Sequence, residues 1–125
     1  MPKYMKIEPA GRVTIVELNG LDDLRGAVGG CIEGIGSPVQ RDVYCYINED
    51  GKGLGLTANR TAELFLNTIG VSLYGNDWIS GAMIVCGTEP PDGGLADGED
   101  YDVPLEYAAE MLAAWQTESQ MWGEG

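Results

Sequence analysis

The sequence predicts an α+β fold, with a small, mainly antiparallel, twisted sheet of about five or six strands and two or three helices packed against it. Three observations carry this reading. Apolar and polar residues alternate with period two in short segments, most clearly where Val43, Cys45 and Ile47 alternate with Tyr44, Tyr46 and Asn48. Apolar residues recur at helical spacing over 57–69 and again after Pro104. Gly, Asn and Asp clusters punctuate the chain between these segments.

The elements follow in order. Lys3–Pro9 and Arg12–Leu18 read as strands joined at Ala10-Gly11, an N-terminal antiparallel hairpin that ends at Asn19-Gly20. Leu21–Val28 is predicted as a short helix, with Asp22 and Asp23 in the first turn and Gly29-Gly30 as its stop. Cys31–Ile35 is a short extended segment, and Gly36-Ser37-Pro38 a loop. Asp42–Asn48 is then predicted as the first strand of a central hairpin. Asp50-Gly51 suits a type I′ turn, and Lys52–Leu56 would return as the second strand. Thr57–Ile69 is predicted as a helix with the stripe Ala58, Ala62, Phe65, Leu66 and Ile69, Thr57 as N-cap and Gly70 beyond its end. Trp78–Gly87 is nearly continuously apolar and suits a central strand buried on both faces, with Gly81 marking a bulge or a close backbone approach. Val13, Ile15, Val43, Cys45, Ile47, Phe65, Leu66, Ile69, Ile79, Met83 and Val85 are the predicted core.

From Thr88 the composition changes. The reading divides the chain into a compact α+β domain over 1–87, an acidic loop over 88–102 and a C-terminal helix over 103–125 packed on the same domain. Pro104 stands in the first turn of that helix, and Leu105, Ala108, Leu112, Trp115 and Trp122 form its apolar stripe. Residues 1–87 hold ten acidic and seven basic side chains, for a net charge of −3. Residues 88–125 hold ten acidic side chains and no basic one, for −10. Such a field repels phosphates and argues against direct nucleic-acid binding, while it steers a basic protein partner inward. It predicts a protein-binding surface made of Glu99, Asp100, Asp102, Glu106, Glu110, Trp115 and Trp122. The acids of 92–102 do not fit the EF-hand template, because no phase puts Gly sixth with oxygen ligands at one, three and five.

With 125 residues, one domain can bury about two-thirds of its unfolded surface. No apolar run approaches the roughly 18 residues of a membrane span, and residues 1–10 do not read as a signal peptide. The expectation is a soluble protein that stays in the compartment where it is made. Cys31, Cys45 and Cys86 lack a C-x-x-C spacing and read as three small buried residues in a reducing cytosol. The chain has no histidine, which removes the usual general base and most catalytic metal sites. Glu33, Glu49, Asp50 and Asp77 stand near turns, but such carboxylates usually face solvent. The chain is therefore expected to be no enzyme and to hold no cofactor or metal. A second candidate site is a polar ligand patch of Glu33, Asn48, Glu49, Asn59, Arg60 and Asp77. There a helix N-terminus near Thr57 would receive an anion such as a nucleotide phosphate.

Four runs carry a family resemblance: VGG-x-IE (Val28 to Glu33), NEDGK (Asn48 to Lys52), GL-x-x-NR-x-A (Gly55 to Ala62) and ND-x-I-x-G (Asn76 to Gly81). In this order they resemble domain-of-unknown-function family 3846, over roughly residues 4–90. Its members occur mostly in actinobacterial phages and in phages and mobile elements of firmicutes. Many carry an aromatic where this chain has Cys31. The resemblance implies a phage accessory protein in the cytoplasm of an infected bacterium. Its expected role is to bind and inhibit a basic host protein, of defence or nucleic-acid handling, without enzymatic activity. Two alternatives stand beside it, a small-molecule or nucleotide sponge and a structural or assembly protein whose edge strands pair into a homodimer.

Overall fold

The computed structural model describes residues 2–73, 77–90, 92 and 97–121, with side chains as far as residue 114. Among the described residues the order is β1 (Lys3–Ile7), β2 (Val13–Glu17), α1 (Gly20–Val28), β3 (Ile32–Gly36), β4 (Val43–Asn48), α2 (Arg60–Thr68), β5 (Met83–Gly87) and α3 (Leu105–Met121). The strands form one sheet in the order β2-β1-β5-β4-β3, and every neighbouring pair is antiparallel. The fold is α+β.

The last strand in the chain is the middle strand of the sheet. Every residue of β5 is buried, as its apolar run requires, because helices cover both faces. Met5, Ile7, Val13, Val43, Cys45, Met83 and Val85 point to one face. There they meet Ala62, Phe65 and Leu66 of α2, together with Val103 and Ala108. Tyr4, Ile84 and Cys86 point to the other face, against Leu24 and Val28 of α1. Gly29 ends α1 in the left-handed conformation at φ 84°, and its N–H donates to the Arg25 carbonyl. Nine of the eleven predicted core residues are buried: Val13, Val43, Cys45, Phe65, Leu66, Ile69, Ile79, Met83 and Val85.

The central hairpin is the main correction. β4 does not pair with 52–56. It lies between β3 and β5, in register Ile35↔Cys45 and Cys45↔Val85. Both of its edges are filled, so Lys52–Leu56 has no ladder to join. Instead that segment curls into turns, in which Leu54 N–H donates to Asp50 O and Leu56 N–H to Gly51 O. Nor does Gly51 serve a type I′ turn, since its φ is not positive. Its small size matters instead: a Cβ there would lie 2.7 Å from the Ser80 carbonyl oxygen.

Smaller corrections share a cause in long-range packing. Thr57 does not cap α2; Asn59 does, accepting the Ala62 N–H. Thr57 and Asn59 instead bond to the segment before β5, through Gly81 N–H to Thr57 O and Asn59 N–H to Ile79 O. That segment, 78–82, is not strand as its apolar run predicts. It leaves the sheet at Gly81, whose φ of 85° breaks the run. Ile15 is 40% exposed because β2 is an edge strand, and Ile47 is half-buried at the sheet's end. Cys31 is exposed in the link between α1 and β3, unlike the buried Cys45 and Cys86. On α3 the covered face is Tyr107, Ala108, Met111 and Leu112, so Leu105 is 84% exposed instead of beginning the stripe.

Candidate functional site

Two places gather the residues singled out by the sequence. The first is a cleft of about 460 Å³ at the end of the sheet where β4 leaves it. β3 brings Glu33 to its rim, opposite Ile47 in the ladder, and the turns after β4 bring Glu49, Asp50 and Lys52. Asp77 and Trp78 close the other side. Asn48 is buried at the cleft's base, where its amide donates to Val28 O at 3.1 Å and its carbonyl accepts Asp50 N–H at 2.8 Å. It therefore ties the end of α1 to the turn, and both its polar atoms are occupied.

On the cleft wall the Lys52 ammonium lies against the Asp77 carboxylate and 4.8 Å from the centroid of the Trp78 ring. The indole Nε1–H donates to Ser80 Oγ at 2.8 Å, and Trp78 N–H donates to Asp77 Oδ1 at 2.9 Å. Ring and carboxylate are thus held side by side. Lys52 and Asp77 are each nearly half exposed, so their pair contributes at most about 1 kcal/mol.

The predicted ligand patch divides. Glu33, Asn48, Glu49 and Asp77 line the cleft, whereas Asn59 and Arg60 do not. Asn59 is fully buried and spans three elements: its amide donates to Ile7 O at 2.9 Å and Gly81 O at 2.8 Å, and its carbonyl accepts Ala62 N–H at 2.9 Å. No part of it is left for a ligand. An anion at the α2 N-terminus would have to displace that cap. Arg60 is exposed, and the Glu63 carboxylate accepts Ile79 N–H at 3.2 Å. Sequence reasoning missed Lys52 and Trp78. Lys52 falls in a segment predicted as a returning strand, and Trp78 opens an apolar run predicted to be buried.

The second place is the acidic segment. Asp100 bonds through both oxygens, accepting Tyr4 OH at 2.8 Å and Tyr46 OH at 2.7 Å. Asp102 accepts Lys3 N–H at 2.8 Å. Tyr101 bridges to Gly87, and Val103 N–H donates to Lys3 O. These two carboxylates therefore fasten the segment along the sheet. Glu99, Glu106 and Glu110 are exposed on the anchored scaffold. Trp122 and the side chain of Trp115 lie outside the described residues.

Burial, followed by the hydrogen bond to Asp100, raises the Tyr4 and Tyr46 hydroxyls above their ordinary value of 10.0. Burial pushes the Cys45 thiol up to about 12 and raises Cys86 as well, so neither is a thiolate near neutral pH. The tyrosine shifts have a sign. A folded value above the unfolded one supplies stability that is complete below about pH 10 and is lost as pH rises through the folded value. The urea midpoint is expected to fall above about pH 10, and the Tyr4→Phe/Tyr46→Phe double variant to fall less steeply. Denaturant titrations from about pH 7 to 12 would measure this. Parallel curves would refute it.

A family model, Domain of unknown function (DUF3846), matches residues 2–110. The chain belongs to this family. No curated protein and no solved structure matches it. The DUF3846 match runs past the sequence-based limit of about residue 90 and takes in Asp100, Asp102, Val103 and Ala108. The anchored acidic segment and the start of α3 are thus part of the family's domain, which extends the resemblance beyond its expected end. Among the described residues no helix is long and apolar enough to cross a membrane.

Proposed function

We propose that this DUF3846 chain is a non-enzymatic phage accessory protein, working in the cytoplasm of an infected bacterium, that binds and inhibits a basic host protein through its acidic surface. The carrying observation is the charge asymmetry, ten acidic side chains and no basic one after residue 87. Anchoring supports it further. Asp100 and Asp102 hold residues 100–102 against the sheet, and Glu99, Glu106 and Glu110 are exposed beside them, which lowers the ordering cost of binding. The phage setting rests on the sequence resemblance.

Nucleotide binding is less favoured. The cleft sets four carboxylates against one ammonium, which Asp77 already engages, and this repels phosphate.

Deleting residues 88–125 is a poor test, because it strips Val103 and Ala108 from the core. The Glu99→Gln/Glu106→Gln/Glu110→Gln triple variant leaves the anchors intact. Lysate pull-downs with both proteins, at about 50 and 300 mM salt, should retain a basic host protein on the native chain at low salt only. The variant should lose it at both concentrations. Equal retention of that protein by the two chains would sink the proposal.

A further inference from the structure

We propose that the cleft beside Trp78 is a receptor for an organic cation, a guanidinium or alkylammonium group. Its lining residues come from β3, the end of β4, the turns after it and residues 73 and 77–80, and none belongs to the acidic segment, so it stands or falls separately from the inhibitor reading.

The cleft combines three things such a group needs. Its volume of about 460 Å³ is within the range of small-ligand sites, roughly 300–1,000 Å³. An aromatic wall is offered by Trp78, which is 43% exposed and whose ring is fixed by the hydrogen bond from Nε1–H to Ser80 Oγ. A cation attracts the face of such a ring, and indole does this best of the aromatic side chains. Beside the ring stands Asp77, held by the Trp78 N–H, and around the mouth stand Glu33, Glu49 and Asp50.

The chain itself shows what this wall accepts. The Lys52 ammonium rests on the Asp77 carboxylate and over the Trp78 ring. That contact is tethered by a turn and is nearly half exposed, so an external cation can replace it without opening the core. Three carboxylates stay without a positive counterpart among the residues lining the cleft after Lys52 has paired with one. Lys52 therefore acts as an internal occupant that an incoming group displaces. A guanidinium fits best, since its flat face stacks on the indole while its N–H fork meets a carboxylate.

Two sources share this chemistry: an arginine or lysine side chain of a partner, and a free polyamine. A capped Arg-Gly-Arg peptide and spermidine serve as the two probes. Each is titrated while the indole N–H resonance of Trp78, assigned by its loss in Trp78→Phe, is followed by NMR. At least one probe should shift that resonance. Lys52→Gln should then bind roughly fivefold or more tightly, because the internal competitor is gone, and Asp77→Asn roughly tenfold more weakly. Arg60→Gln makes the same charge change outside the cleft and should leave affinity nearly unaltered. A shift with the peptide alone assigns a partner's side chain, a shift with spermidine alone assigns a polyamine, and a shift with both supports the shared chemistry. Silence of the indole resonance with both probes at millimolar concentration would overturn the proposal, as would Lys52→Gln and Arg60→Gln changing affinity equally.

Discussion

Asn59→Ala is expected to lower the free energy of unfolding by about 3–5 kcal/mol, a large share of the roughly 5–15 kcal/mol that holds a typical domain together. The side chain is fully buried, and each polar atom has a partner on a different part of the fold. Its amide donates to Ile7 O at the end of β1 and to Gly81 O ahead of β5, and its carbonyl caps α2 at Ala62 N–H. Alanine leaves the Ala62 amide without its cap and takes one bond from each of two carbonyls, at about 1–3 kcal/mol for a buried group left unsatisfied. Asn59→Asp should do no better. It keeps the cap but places a carboxylate against two carbonyl oxygens. Urea unfolding measures both, and a loss below about 1 kcal/mol in Asn59→Ala would show that the three contacts are not a structural pin. The neighbouring Arg60→Gln provides the contrast, because an exposed substitution at the same helix end should stay within about 0.5 kcal/mol.

Gly87→Ala is expected to cost about 3 kcal/mol and to loosen the acidic segment selectively. Gly87 ends β5 and makes two hydrogen bonds with Tyr101, from N–H to O in each direction at 2.9 Å. A Cβ at this position would run into the carbonyl oxygen of Asp102, a backbone atom that cannot rotate away. Either β5 or the 101–103 segment must shift, and the segment has fewer ties to the sheet. Its release would disturb the anchors made by Asp100 and Asp102 and lift Val103 from the core. Amide exchange should therefore accelerate at Tyr101 and Val103 far more than at Val85. Uniform acceleration, or none, would contradict this account. Gly34→Ala should be milder, because there the conflict is with the far end of the Tyr44 side chain and a rotamer change can relieve it.

The candidate site is legible in the sequence only in parts. Glu33, Asn48, Glu49 and Asp77 do line one cleft, and turn chemistry marks all four. Asn59, read into the same polar patch at the start of a predicted helix, is a buried pin. A polar residue at a turn carries no signal of whether its amide faces water or the carbonyls of a distant strand. Asp100 reads as a surface acid for similar reasons, although Tyr4 and Tyr46, far away in the chain, occupy both its oxygens. Lys52 and Trp78 have no visible partner in the sequence at all, because cation and ring meet across 26 residues.

By itself the sequence determined the local character of the chain. The both-face burial of β5, the two strands of the first hairpin, the approximate helices and the concentration of acid after residue 87 all follow from periodicity and composition, which are properties of neighbouring residues. Beyond that first hairpin, tertiary structure alone decided which strands pair. A strand has two edges, and β4 fills both with β3 and β5, so a good turn sequence at Asp50-Gly51 had no free edge to serve. The choice depends on burying Cys45 between Ile35 and Val85 rather than on any local preference, and it leaves Lys52 in the turn that faces Trp78.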